Sequence, residues 1–248
     1  LIHAVQSSST SDQPSLGLVF DGDGDRIAAI DEKGRYCSTQ LLLPLLINHL
    51  ASIDNSSGCV IKTVSGCDLM SSVAESFGRE VIELPVGFKY IAQQMLSRDV
   101  LIGGEESGGI GFGSHIPERD ALFTALVLLE AIANAGSPLG ELINSLYSRF
   151  GEVYFDRLDV SLENIEQRHK IEGFLQTDPP KRVRNNNVKE LINIDGFKLR
   201  LGKNHWLMFR SSGTEPLLRI YCEAPSKEEV KNDLDWAKTF IEKLLIEI

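Results

Sequence analysis

A chain of 248 residues with 25 basic against 35 acidic side chains, formal net charge −10, has room for one large or two medium domains with real cores. Its acidity, with no basic run, argues against nucleic acid and anionic membranes as partners; a locally positive pocket and a phosphorylated small substrate stay possible. Leu41 to Leu50 is too short to span a bilayer and carries Pro44, Asn48 and His49.

No signal peptide is visible at the start. The four cysteines, Cys37, Cys59, Cys67 and Cys222, form no CxxC pair, so a reduced, cytoplasmic protein with no zinc site is expected. The first residue is Leu1, and Ser7 to Pro14 reads as a loop. Two apolar runs follow, Leu16 to Phe20 and Ile27 to Ile30. They flank Asp21-Gly22-Asp23-Gly24-Asp25-Arg26 and read as strand, tight turn, strand. Alternate glycines let the turn fold tightly. Three carboxylates aimed at one point repel one another and need a cation, and hard oxygens suit Mg²⁺ or Ca²⁺. Arg26 beside them suggests an anion, phosphate by choice, meeting the metal. A calcium EF-hand would use Asp21, Asp23, Asp25 and Glu32 at its first, third, fifth and twelfth positions. Its sixth position wants Gly, and here it is Arg26. The bland alternative is an acidic hairpin turn.

From residue 38 helix and strand signals alternate. Gln40 to Ile53 reads as a helix capped by Ser38 or Thr39, with Pro44 near its first turn. Cys59 to Ser65 reads as a strand, Asp68 to Phe77 as a helix closed by Gly78, Glu80 to Val86 as a strand, Tyr90 to Leu96 as a short helix and Val100 to Ile102 as a buried strand. Arg119 to Ala135 is a helix stopped by Gly136, its apolar stripe from Leu122 to Leu129 read as core. Ser137-Pro138 opens another helix to about Phe150. The alternation implies an α/β/α domain of three layers around a mostly parallel sheet.

The pattern changes near Gly151. Tyr154 to Leu162 alternates as a strand, and Glu163 to Leu175 is helical until Thr177-Asp178-Pro179-Pro180 breaks it. Val188 to Leu201 reads as a hairpin turning at Asp195-Gly196, followed by strands at Trp206 to Phe209 and Leu217 to Glu223. Ser226 to Glu229 is a capping box opening a helix to about Ile246. This is an α+β domain with an antiparallel sheet.

Two further loops carry chemistry. Gly103-Gly104-Glu105-Glu106-Ser107-Gly108-Gly109 follows a strand, where α/β ligands bind; Glu105 and Ser107 offer an acceptor and a donor suited to sugar hydroxyls. Arg210-Ser211-Ser212-Gly213-Thr214-Glu215-Pro216 lies between two strands as an anion nest, with Arg219 as a second guanidinium. The bland readings are a flexible turn and a polar hairpin loop. Lys62 and Lys89 each follow a strand and could meet a substrate phosphate or hydroxyl; a lone lysine is more often a solvated charge. His115, beside Arg119 and Asp120, could shuttle protons or be a hydrogen-bonded structural histidine.

Together and in order, Asp-Gly-Asp-Gly-Asp-Arg, Gly-Glu-Glu-Ser-Gly and Arg-Ser-Ser-Gly-Thr-Glu-Pro resemble the α-D-phosphohexomutase superfamily, which includes phosphoglucomutase and phosphomannomutase. The resemblance runs from about Leu16 to the end of the chain. It implies the tail of the family's second domain over residues 1–37, its third domain over 38–150 and its C-terminal domain over 151–248. It further implies Asp21, Asp23 and Asp25 as Mg²⁺ ligands, with Arg26, Lys89 and His115 as candidate catalytic side chains. Glu105 and Ser107 become sugar-hydroxyl contacts, and Arg210, Ser211, Ser212, Gly213 and Thr214 the cradle for the phosphate not being transferred. Lys62 and Arg219 are further candidate substrate contacts. In this family a metal-bound phosphoserine phosphorylates a glucose or mannose phosphate, a hexose 1,6-bisphosphate forms and turns over, and the other phosphate returns to the serine.

The sequence departs from the family twice. Relatives with Gly-Glu-Met-Ser-Gly-His end that loop in histidine, where this chain has Gly109; His115 matches the Ser-Asp-His-Ile stretch of phosphoglucomutase-like members instead. The serine loop, Thr-Ala-Ser-His-Asn-Pro or similar, occurs nowhere in these residues. The expectation is the rear part of a longer isomerase that does not turn over by itself. The rivals are a non-catalytic phosphosugar-binding module from a truncated gene, and a calcium-binding module.

Overall fold

The computed structural model describes every residue except Ser11, Gly213, Thr214 and Ile248, together with the side chain of Glu247. The chain divides into two compact units, Leu1–Gly151 and Glu152–Ile248.

The first unit opens with α1 (Ile2–Ser8), a short helix that takes in serines expected in a loop. Its hydroxyls bond back to the preceding turn, Ser7 Oγ to His3 O and Ser8 Oγ to Ala4 O, a local option open to serine. Next, β1 (Gly17–Phe20), β2 (Ile27–Ile30) and β3 (Tyr36–Cys37) form an antiparallel sheet, Phe20 pairing with Ile27 and Ile30 with Tyr36. The α/β body follows: α2 (Thr39–Ala51), β4 (Cys59–Thr63), α3 (Asp68–Ser76), β5 (Val81–Leu84), α4 (Phe88–Met95), β6 (Val100–Gly104), β7 (Ile110–Phe112), α5 (Ala121–Ala135) and α6 (Leu139–Phe150). Its sheet order is β5-β4-β6-β7, parallel except for β7. Every residue of β4 is buried, as a central parallel strand covered on both faces requires.

Pro44 lies in the second turn of α2 rather than near the first, where it cannot donate to the carbonyl of Gln40. Cys67 Sγ takes that acceptor at 3.2 Å. Asp120 caps α5 by accepting Phe123 N–H at 2.9 Å, so Arg119 falls outside the helix it was expected to begin. The stripe from Leu122 to Leu129 is also not uniformly core. Ala125, Val127 and Leu128 are buried, whereas Leu122, Leu126 and Leu129 are exposed, because successive residues 100° apart cannot all face one way.

The β1–β3 sheet is bolted to this body by a charged turn. Asp31, fully buried, accepts from the backbone of Arg35 at 2.7 Å and from its Nε at 2.8 Å. Arg35 then donates to Gly140 O and Asn144 Oδ1 of α6. Glu32 accepts Gly140 N–H at 2.9 Å, in the first turn of α6, where a carboxylate is favoured. Glu32 is therefore spent on α6, and the flanks of the Asp loop are strands; both features exclude an EF-hand.

The second unit is an antiparallel sheet with two helices. In order come β8 (Tyr154–Ser161), α7 (Ile165–Thr177), β9 (Arg182–Val183), β10 (Asn186–Asn187), β11 (Glu190–Ile192), β12 (Phe197–Gly202), β13 (His205–Ser211), β14 (Leu217–Ala224) and α8 (Lys227–Glu247). The five-stranded order is β11-β12-β13-β14-β8, with β9 and β10 as a separate pair. Alternate strand residues Leu199, Leu207, Phe209, Leu218 and Ile220 pack with Ile171 and Leu175 of α7 and with Val230, Ala237 and Ile241 of α8. Burying each of the larger aliphatic and aromatic side chains among these is worth about 1.5–3 kcal/mol. Ser226 Oγ accepts Glu229 N–H at 3.1 Å, completing the cap that opens α8.

Among the described residues no single helix is long and apolar enough to cross a membrane. Helices α5 and α6 pass only as a pair bent by 77°.

Candidate functional site

In the first unit the Asp loop closes the β1–β2 hairpin. Asp21 organises it: its Oδ1 accepts the N–H groups of Asp25 (3.1 Å) and Arg26 (3.2 Å), and Gly24, at φ 70°, turns the chain in the left-handed region open to glycine. The turn from Glu105 to Gly109 joins β6 to β7 and is closed by Glu105 N–H to Gly109 O at 2.9 Å. The two loops meet directly. Ile27 N–H donates to Gly108 O at 3.1 Å, and Arg26 forms a β-bridge with Gly109. The start of α5 joins them, Ala121 N–H donating to Gly24 O at 3.2 Å. The tertiary fold thus brings together loops that lie far apart in sequence.

Two arginines neutralise the Asp loop. Arg26 Nε lies 2.5 Å from Asp21 Oδ2. Arg119 Nη2 lies 2.6 Å from Asp25 Oδ2, and its Nη1 is 3.6 Å from Glu105 Oε2. The hydrogen bond from Arg26 holds Asp21 down at about 2. Burial raises Asp25 from its ordinary carboxylate value; Arg119 opposes that rise and Asp21 adds to it. Asp23 is exposed. Among the described residues no three His, Cys, Asp or Glu side chains are gathered for a metal ion. The donor set still suits a hard divalent cation, since three carboxylates share one short turn and two of them already hold a cationic group.

Beside these loops a cleft of about 260 Å³ is lined by Asp21, Arg26, Tyr36, Thr39, Glu106 and Ser107, among others. Ser107 is exposed and Glu105 is 4% exposed. Glu106, not singled out from sequence, accepts from Ser65 Oγ at 2.5 Å and from Thr63 Oγ1 at 3.4 Å, tying the turn to the end of β4.

The other sequence candidates of this unit separate sharply. Lys89 is exposed in the first turn of α4, its Nζ 4.8 Å above the Tyr90 ring. Lys62, expected to meet substrate or solvent, is corrected: it lies inside β4 at 1% exposure. Its ammonium donates to Gly66 O and Cys67 O at 3.2 Å and pairs with Glu83 at the same distance. A buried lysine is retained only with such partners, and these fold the β4–α3 turn. His115 Nε2 is engaged by Asp120 at 2.9 Å, and its ring stacks on Phe123 at 4.3 Å. Arg119 was the missed residue; the signal was Asp120 as helix cap, which leaves residue 119 in the preceding segment.

In the second unit Arg210 and Ser211 end β13, and Arg219 stands directly opposite Arg210 on β14. Arg210, with Ser211, His169, Asn193 and Gly196, lines a cavity of about 520 Å³. Its Nε bonds Asp195 Oδ2 at 2.9 Å. Burial is the largest single influence and works against its charge, but the hydrogen bond and charge of Asp195, together with Tyr221, raise its pKa above the usual arginine value. Ser211 Oγ, buried, has no hydrogen-bond partner among the described residues. Ser212 is braced from behind by Arg168, which donates to its carbonyl at 2.8 Å. Gly213 and Thr214 lie outside the described residues.

The first unit is thus a three-layer α/β fold with an acidic loop set against a Gly-Glu-Glu-Ser turn, and the second an α+β fold with one strand ending in an arginine-serine loop. Residues 39–150 match the phosphoglucomutase/phosphomannomutase alpha/beta/alpha domain III, and residues 165–234 match the C-terminal domain of the same proteins. The chain belongs to the phosphoglucomutase/phosphomannomutase family. It is 28% identical over 237 residues to a phosphoglucomutase/phosphomannomutase of Thermococcus kodakarensis, covering 93% of this chain and 48% of that protein. It is 31% identical over 214 residues to phosphoglucosamine mutase of Bacillus subtilis, covering 86% and 43%. A crystal structure from Thermus thermophilus, assigned as a phosphomannomutase, superposes with a TM-score of 0.80 at 30% identity, over 97% of this chain and 48% of that one. The chain therefore spans about half the length of the relatives it matches.

Proposed function

We propose that these residues are the metal-, sugar- and phosphate-binding portion of a phosphohexomutase, an isomerase interconverting glucose or mannose 1- and 6-phosphates. The reaction runs through a phosphoserine outside this sequence and a hexose 1,6-bisphosphate. The observation that carries this reading is the junction of Arg26 with Gly109, which sets the acidic loop on the Gly-Glu-Glu-Ser turn. A reacting phosphoryl group and a sugar ring belong side by side, and here the two loops suited to them share a boundary.

Asp21, Asp23 and Asp25 would hold Mg²⁺, which supplies Lewis-acid polarisation of a phosphoryl oxygen when bound. Arg26 and Lys89 offer charge to the same phosphate. Glu105 and Ser107 accept from and donate to sugar hydroxyls, orienting the ring. Arg210, Ser211 and Ser212 bind the phosphate that is not transferred. The test is a coupled assay on the purified chain with glucose 1-phosphate, Mg²⁺ and glucose 1,6-bisphosphate, beside calorimetry of hexose phosphate binding. Binding without turnover is expected. Turnover above background would show that the serine is not required from elsewhere; an absence of binding would remove the phosphosugar reading of the chain itself.

A further inference from the structure

Arg119 occupies the ground between the two loops of the first unit. Its backbone neighbours are pinned: Asp120 N–H donates to Ile110 O at 3.1 Å and Ala121 N–H to Gly24 O at 3.2 Å. The stem passes over Gly109, where a Cβ would lie 2.3 Å from Arg119 Cδ, so any larger residue would block its path. The guanidinium carbon sits 5.6 Å from the Phe88 ring centroid, within cation–π range. Only then does it reach Asp25 at 2.6 Å, with Glu105 3.6 Å from its other terminal nitrogen. Its Nε makes no hydrogen bond among the described residues and has only the Glu118 carboxylate at 3.7 Å. The side chain is thus delivered to Asp25 by a built channel, yet it is not saturated there.

We propose that Arg119 is an internal counter-cation for the Asp loop, which a divalent metal must displace from Asp25, and that displacement leaves the guanidinium beside Glu105. The inference rests on the reading of the Asp loop as a Mg²⁺ site. A carboxylate oxygen that holds an arginine at 2.6 Å cannot give the same lone pair to a metal. A second positive charge within a few ångströms also repels the ion. Arg119 therefore lowers metal affinity and keeps the empty loop folded. The opposite role, a residue that orients a ligand from behind, predicts the opposite sign, since losing such support weakens metal binding about 10- to 100-fold.

The experiment is calorimetric titration of Mg²⁺ into the wild-type chain, Arg119→Met and Arg119→Lys, with Mn²⁺ followed by electron paramagnetic resonance as a second probe. Arg119→Met keeps the apolar stem and removes the charge. It should bind Mg²⁺ about fivefold more tightly, the equivalent of a partly exposed ion pair, while Arg119→Lys stays near wild type. Equal or weaker binding by Arg119→Met overturns the inference but leaves the metal site standing. No binding by any of the three removes the metal site itself and the inference with it. Should Arg119→Met fail to fold, the Arg119 Nε–H resonance of the wild-type chain, assigned by its loss in Arg119→Lys, decides. It should shift on Mg²⁺ saturation if Asp25 is surrendered; an unmoved resonance overturns the proposal.

Discussion

Replacing Arg210 by Ala should weaken hexose phosphate binding by less than its charge alone suggests. A hydrogen bond from arginine to phosphate is worth about 1.5–3 kcal/mol, or roughly 10- to 100-fold in Kd at 1.4 kcal/mol per decade. In the unliganded protein that guanidinium is already committed to Asp195 at 2.9 Å, with side-chain exposures of 16% and 28%. A partly exposed pair of this kind is worth up to about 1 kcal/mol, and phosphate has to share or displace it. Arg210→Ala should therefore lie near the tenfold end. Asp195→Asn, which keeps the shape and removes the competing charge, should tighten binding by up to about fivefold by the same figure. The double variant should bind better than Arg210→Ala alone, because Asp195 without its arginine repels phosphate. Calorimetry of glucose 1-phosphate against the four proteins, with inorganic phosphate in parallel, measures the whole cycle. Wild-type affinity in Arg210→Ala, or weaker binding in Asp195→Asn, would refute the reasoning.

Lys62→Met should lower unfolding stability by about 3 kcal/mol, as expected when one partner of a buried ion pair is removed, seen as a fall in urea midpoint. Its combination with Glu83→Gln should be milder, since Glu83 is then no longer left charged against the loss. Asp120 has its pKa lowered, first by the Phe123 N–H and then by His115. A carboxylate whose folded pKa is depressed contributes stability above its unfolded value, near 4, and loses it as pH falls through the folded value. Asp120→Asn keeps the cap on Phe123 N–H but cannot titrate. The Tm gap between wild type and variant should close between pH 5 and the acid limit of folding; a gap constant with pH would show that the cap alone matters.

The parts of the fold that were legible in the sequence are those written in local chemistry. The α/β alternation, the hairpin around Asp195-Gly196 and the Ser226 cap follow from periodicity and turn residues. The short strands β3, β7, β9 and β10 do not. Gly109-Ile110-Gly111-Phe112 interleaves two strand formers with glycines that weaken the signal, and β7 forms where β6 offers it an edge, Ile102 pairing with Phe112. Charged residues show the same limit. Lys62 and Lys89 both come from strand-end contexts, yet the register of β4 buries one and the first turn of α4 exposes the other. Which carboxylate holds which arginine depends on chain crossings that local patterns do not carry. Arg119 and Asp25 are far apart in the chain, and nothing near either one announces the other.

Those pairings bear on how an acidic chain can handle anions and cations at once. Asp21 holds Arg26, Asp25 holds Arg119 and Asp195 holds Arg210, and each pair includes a residue proposed to meet a ligand. Left unpaired, the carboxylates would repel one another and the guanidiniums would be partly buried without compensation. Pairing resolves both costs within the protein itself, and on the proposed reading a ligand would exchange with a charge already present rather than add one to a waiting site. The consequence is a sign rule that separates this arrangement from a scaffold: removing the internal partner, Asp195 for phosphate or Arg119 for a metal, should tighten binding, whereas removing a supporting residue should loosen it.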